Sequence, residues 1–248
     1  MLALSGLMVG AAHAVGLNDT GITDCWSDTG VANGSVAADS GTHPRQDCRY
    51  GRDAQAQAGN LAKVGGGGAG FDFSKIANNG SVLSASAILG TGANDWACTR
   101  DNVTGLIWEV KITSGLRDQS HSYTWYNSNS ATNGGSAGIV SGGTCQTPGR
   151  CDTEKFVQDV NAAGLCGASD WRMPTRQELV SIVDYSIAYP GPTIDADYFP
   201  NTFASVFWSA SAGAYSSGSA WYVVFYYGYA NDGSKDGGYQ VRLVRAGQ

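Results

Sequence analysis

The sequence is short of charge, of histidine and of long apolar runs. Of its 248 residues 15% are charged, and three are histidines: His13, His43 and His121. The histidines are scattered and no C-x-x-C pair is present, so the spacing of a zinc site is missing. The net charge is −6, without the basic footprint that nucleic acid or an anionic membrane requires. Past the N-terminus no apolar run approaches the ~20 residues of a bilayer-spanning helix, so no membrane span is expected. No H-E-x-x-H helix and no P-loop glycine run appears. We therefore expect no enzyme, no required cofactor and no nucleic-acid partner.

What is present is glycine and aromatic side chain. Thirty-five glycines point to many turns and few long helices, while a hydrophobic content of 42% allows a sizeable core. The opening stretch MLALSGLMVGAAHA is apolar and ends in Ala12-His13-Ala14, an A-x-A cleavage pattern. Residues 1–14 are read as an export signal, which places the mature chain in the periplasm, on the cell surface or outside. Six cysteines then suggest disulfides. Local spacing favours Cys145–Cys151 across a Pro-Gly turn. Six cysteines allow fifteen connectivities, among which the sequence alone does not choose; Cys25–Cys48 would close the N-terminal segment and leave Cys98–Cys166.

Residues 15–95 are rich in small residues with little periodicity, and we read them as a loop-rich extension packed on a main domain over 96–248. Within that domain, Leu106–Val110 and Tyr123–Asn127 read as strands after an Asp101–Gly105 turn. Two helices follow. One carries Phe156, Val157 and Val160 and ends at Gly164. The other opens on a Thr175–Glu178 capping box and carries a stripe of Leu179, Ile182 and Val183 up to Pro190 and Pro192. Phe207–Ser211, Trp221–Tyr227 and YQVRLVR then read as strands, giving an α+β domain with an antiparallel sheet and many loops. Along Trp221–Tyr227, Trp221, Val223 and Phe225 are expected to face the core, and Tyr222, Val224 and Tyr226 to face out.

The motifs DNVTGLIWE, GLCGASDWRMPTRQELVSIVD, YFPNT, FWSAS, AWYVVF and VRLVR, in this order, resemble the DUF1566 family, the C-terminal domain of the Legionella collagen-like protein. The resemblance implies a C-type-lectin-like fold of the formylglycine-generating-enzyme subclass. A subset of that family serves as variable proteins of diversity-generating retroelements, whose template is copied with errors at adenines. The variable region of that subset runs from the F-W-S motif to the V-R-L-V-R motif.

Transferred here, the resemblance implies variable, ligand-contacting positions at Tyr222, Val224, Tyr226, Tyr227, Tyr229, Asn231, Asp232, Gly233, Ser234, Asp236, Gly237, Gly238 and Tyr239. Upstream, Gly213, Tyr215, Ser217 and Ser219 join them. Each is reachable from an Asn codon by changing adenines alone. Lys235 and Gln240 are not, and are read as frame. Tyr, Ser, Gly, Asn and Asp also make adaptable binding surfaces. The expected function is an exported adhesin or receptor-like protein binding an unknown protein or glycan, with a fixed carbohydrate-binding or glycosaminoglycan-binding adhesin as the alternative.

Other conspicuous residues read as structural. Trp171 is expected to anchor the core, with Asp170 and Arg172 tied to nearby loops. Arg242 and Arg245 are expected to snorkel or to pair with acids at the sheet edge. Neither Asp152, Glu154 and Asp159 nor Asp195 and Asp197 follow a calcium-loop pattern.

Overall fold

The computed structural model describes residues 18–27, 30–32 and 45–247; the expected export signal lies outside them. In chain order the elements are β1 (Cys25–Ser27), β2 (Gly30–Ala32), α1 (Asp47–Tyr50), α2 (Arg52–Gln57), β3 (Phe73–Ala77), β4 (Trp96–Asp101) and β5 (Leu106–Glu109). They continue with α3 (Thr153–Ala163), α4 (Arg176–Val180), β6 (Val206–Ala212), β7 (Ser219–Val224), β8 (Tyr229–Ser234) and β9 (Val244–Ala246). The fold is α+β, with two main antiparallel sheets ordered β3-β4-β5-β9 and β6-β7-β8, and a small β1-β2 hairpin.

Local chemistry explains the better-defined elements. The Asp101 carboxylate accepts from the amides of Val103 and Thr104 at 2.9 and 3.2 Å, and Gly105 takes a positive φ of 75°. That turn sends the chain from β4 back along β5. In α3 the Asp152 carboxylate caps the amide of Lys155, and Gly164 closes the helix in the left-handed region. Phe156 and Val160 are buried on its inner face.

The second expected helix is shorter than its sequence pattern. The Thr175–Glu178 capping box forms, but α4 stops at Val180. The Ser181 amide bonds back to Gln177 and Glu178, and its hydroxyl donates to the Glu178 carbonyl at 2.7 Å, satisfying the helix end. Ile182 and Val183 are buried all the same, on the irregular segment that follows.

The strands expected at Tyr123–Asn127 and YQVRLVR are also largely ladder-free. Tyr123, Thr124 and Tyr126 each make a single bridge, to Tyr239, Asp152 and Gly138. The closing segment bonds to β6 through Gln240, then runs on to join β5 as β9. It therefore ties the two sheets together.

The core forms two aromatic clusters. Trp125, Phe156, Trp171, Trp208 and Leu243 belong to the first. Phe73, Trp108, Phe199, Phe207, Val223 and Phe225 belong to the second. Adjacent residues of one strand divide between them, Phe207 and Trp208 on β6 and Ile107 and Trp108 on β5. Strands packed on both faces result from the alternation of side chains.

Disulfides join Cys25 to Cys48, Cys98 to Cys166 and Cys145 to Cys151. The first ties the hairpin β1-β2 to α1; the second ties β4 to the turn after α3. The extension docks on the main body through Asn18, whose amide donates to Asp101 and to the Ser181 carbonyl at 2.7 and 2.9 Å. The Tyr185 amide likewise donates to the Thr20 carbonyl.

Candidate ligand-binding surface

The candidate surface is built on the β7-β8 hairpin. β7 is the middle strand of its sheet, paired along its length with β8 from Ser219↔Ser234 to Val224↔Tyr229. Its turn, Phe225–Gly228, is locked from several sides. The Gly228 amide donates to Val224 at 2.8 Å, and the Phe225 carbonyl accepts from the Thr193 amide at 2.8 Å. Gly228 has a φ of +82°, and a Cβ there would lie 2.6 Å from Val183. Only glycine fits, so the turn holds Tyr226 and Tyr227 in a fixed place.

Three tyrosine rings stack on this end. The Tyr189 and Tyr227 rings are 4.8 Å apart with planes 12° apart, and Tyr227 and Tyr229 are 5.9 Å apart at 20°. All three are open to solvent, at 64%, 53% and 48% exposure. Tyr189 is not among the sequence candidates. Its signal in the sequence was faint: one tyrosine before Pro190, distant in the chain from the segment it joins.

The other candidates divide by burial. Tyr215, Ser217, Asn231, Ser234, Asp236 and Gly238 are exposed. The Tyr215 hydroxyl donates to the Asp232 carboxylate at 2.8 Å, which pushes the phenol upward in pKa. Tyr222, Tyr226, Asp232, Gly233, Gly237 and Tyr239 are half-buried. Tyr222 and Tyr239 pack on each other at 5.3 Å and on Trp208 at 5.9 and 4.6 Å. A Cβ at Gly233 would lie 3.0 Å from the Tyr222 ring, and one at Gly237 would lie 3.0 Å from the Tyr239 ring. These four positions are packed as a unit.

Three candidates are buried: Val224, Gly213 and Ser219. The simple in-and-out alternation along β7 therefore does not hold. Val223 and Phe225 lie in the second cluster, but Tyr222 packs on the first and Val224 is 4% exposed. Trp221 is only half-buried, covered by the Arg176 guanidinium of α4 at 4.3 Å. A middle strand between two cores has no free face.

The frame residues are held firmly. Lys235 is 2% exposed, and its ammonium donates to the carbonyls of Asn133, Ser136 and Ser217 at 2.7–2.8 Å. Burial depresses its pKa. The Gln240 side chain accepts from the Ser205 hydroxyl at 2.5 Å.

Other charged residues serve the fold. Arg172 makes a two-pronged bond to Glu178, and Arg245 pairs with Asp170 at 2.5 Å. Arg242 is not at the sheet edge, as its sequence context suggested. It is fully buried, donating to the Glu109 carbonyl at 2.6 Å and the Thr202 hydroxyl at 2.7 Å. Burial brings its pKa down to about 10. The Glu109 carboxylate beside it accepts from Lys111 and from the Leu243 amide, and the buried Lys111 falls to about 8.

The stretch Gly134-Gly135-Ser136-Ala137-Gly138 spells G-x-S-x-G, against the expectation that the chain lacks this motif. It lies in a loop rather than at a strand-to-helix turn, so the geometry of a nucleophile elbow is missing. A cleft of about 500 Å³ lies beside Asp170 and Arg245 and is lined by none of the candidate residues.

Neither the curated proteins nor the solved structures contain a match to this sequence. The family profile described as the Lcl C-terminal domain does match, over residues 97–245. That is more than half of the chain, and the chain belongs to the Lcl C-terminal domain family.

Proposed function

We propose that this chain is an exported ligand-binding protein of adhesin or receptor type, which binds through the β7-β8 surface and carries out no catalysis. The observation that carries the reading is the exposed stack of Tyr189, Tyr227 and Tyr229 on a hairpin locked from beneath. Rigid tyrosines give amphipathic contact area at little entropic cost, and the neighbouring Asn231, Ser234 and Asp236 offer adjustable hydrogen bonds. The three disulfides and the family fit an exported protein. An open surface suits a macromolecular or glycan partner better than a small molecule, which needs a concave pocket.

We further read the fold as C-type-lectin-like and the surface as diversified by a retroelement. Support comes from the exposed candidates beside a locked frame at Lys235 and Gln240, while the buried Gly213, Ser219 and Val224 stand against it. Sequencing the 3′ end of this gene and its flanks across a population tests the idea. Substitutions confined to the candidate positions, at adenines of a nearby template repeat, are expected. An invariant 3′ end without a template would sink diversification. It would leave the second reading, a fixed carbohydrate-binding adhesin, which the parallel tyrosine rings favour as a platform for the apolar face of a sugar ring. The net charge of −6 counts against polyanionic ligands such as glycosaminoglycans.

A further inference from the structure

Outside the matched domain, three carboxylates of the extension converge. Asp19, Asp47 and Asp53 each offer an oxygen within 4.8 Å of the others. Asp19 and Asp53 are 5% and 0% exposed. One oxygen of each accepts from the Gly70 amide, at 2.8 and 3.1 Å. The other oxygen of each, Asp19 Oδ1 and Asp53 Oδ2, is buried and has no hydrogen-bond partner among the described residues. Asp47 receives the Thr20 hydroxyl and is half-buried.

A buried carboxylate oxygen without a donor is costly, and two in one cluster are more so. A cation answers both. The donors are oxygen only, which suits a hard divalent ion and not zinc or copper. Two oxygens bound to one calcium ion at about 2.4 Å each lie at most about 4.8 Å apart, which matches the cluster. We propose that Asp19, Asp47 and Asp53 form a calcium-binding site that fastens the N-terminal extension to the Gly70 loop.

The surroundings are built for close approach. A Cβ at Gly70 would fall 2.7 Å from the Asp19 carboxyl carbon and 2.5 Å from the Arg52 Cβ, so the loop reaches the acids only as glycine. The next residues, Phe71 and Phe73, enter the second core cluster. Asp47 directly precedes Cys48, whose disulfide to Cys25 holds the β1-β2 hairpin. A cation here ties Asp19 to α1 and α2 beside the Gly70 loop, adding to the links that Asn18 and Thr20 make to the main body. The sequence draws attention to other acids, but those are occupied: Asp152 by Lys155, Asp159 by Arg150, and Asp195 by the amides of Gly68 and Asp197.

The test is calorimetric titration of calcium chloride into the full mature chain, stripped of metal by a chelator, alongside thermal melts with and without calcium. The expected result is one bound ion per chain and a rise in melting temperature. Asp53→Asn should weaken calcium binding by at least about tenfold, because ligand charge sets the affinity of such sites. That variant also removes a repulsive charge, so its metal-free form should melt no lower than metal-free wild type. Asp47→Asn, at the half-buried ligand, provides the same reading should Asp53→Asn misfold. Absence of calcium binding by the wild type, or equal binding by the variants, overturns the proposal. A proton shared between Asp19 and Asp53 would then neutralise the pair.

Discussion

The ammonium of Lys235 sits 4.2 Å from the centre of the Trp125 ring while donating to three backbone carbonyls on two separate loops. Asn133 and Ser136 belong to one loop and Ser217 to the other, so one side chain sets the spacing of the loops behind the candidate surface. Lys235→Ala leaves three carbonyls without their donor, that of Asn133 in a buried site and those of Ser136 and Ser217 in partly buried ones. Allowing for partial rehydration, the expected loss is roughly 2–4 kcal/mol. Urea denaturation measures it, and hydrogen exchange should quicken in residues 133–136 and 216–218. A variant as stable and as protected as wild type would show that the loops hold their places without it.

Much of this frame is legible in the sequence. Lys235 and Gln240 stand out because no adenine change in an Asn codon yields them, and the structure gives both of them structural bonds. Spacing favours Cys145–Cys151, neighbours across a turn, but does not choose among the fifteen pairings open to six cysteines; the structure joins that pair together with Cys25–Cys48 and Cys98–Cys166. The face of β7 was not legible. Alternation reports which residues share a side of a strand, not how many sides are covered, and β7 has a core on each. Arg242 was misplaced for a related reason: its charge suggests solvent, while the Glu109 carbonyl and the Thr202 hydroxyl that receive it lie far away in the chain. Tyr189 was missed because its ring partner Tyr227 follows only from the fold.

The two kinds of aromatic residue near the hairpin should respond differently to truncation. Trp208 is fully buried in the first cluster, and its indole donates to the Tyr123 carbonyl at 2.9 Å. Trp208→Ala is expected to cost about 3–5 kcal/mol through the cavity it leaves. Tyr227 is 53% exposed and stacks on rings that are themselves exposed. Tyr227→Ala should change stability by no more than about 1 kcal/mol. Chemical denaturation of the two variants checks the contrast. A large loss from Tyr227→Ala would mean that the tyrosine stack is part of the frame rather than the display.

Acid should loosen the contact at Asp72, which holds Val64 and Gly65 beside the start of β3. Burial alone would raise this carboxyl, but the side-chain amide of Asn102 and the amides of Val64 and Gly65, each at 2.8 Å, outweigh it and hold the pKa below the ordinary 3.8. A folded-state value below the unfolded one means that the unfolded chain takes up the proton first. The stabilisation is therefore fully present above the unfolded value and is lost as the pH falls through the folded one. Asp72→Asn removes this titration while keeping the shape of the side chain. The variant is expected to be less stable than wild type near neutral pH, since an amide accepts less strongly than a carboxylate and turns an NH₂ toward one donor. As the pH falls below 3.8 the gap should narrow progressively, because wild type then takes up a proton at Asp72 as well. Thermal melts of both proteins from neutral pH into acid measure that gap. A constant gap across the range would show that the Asp72 charge contributes nothing to holding Val64 and Gly65 on the main body.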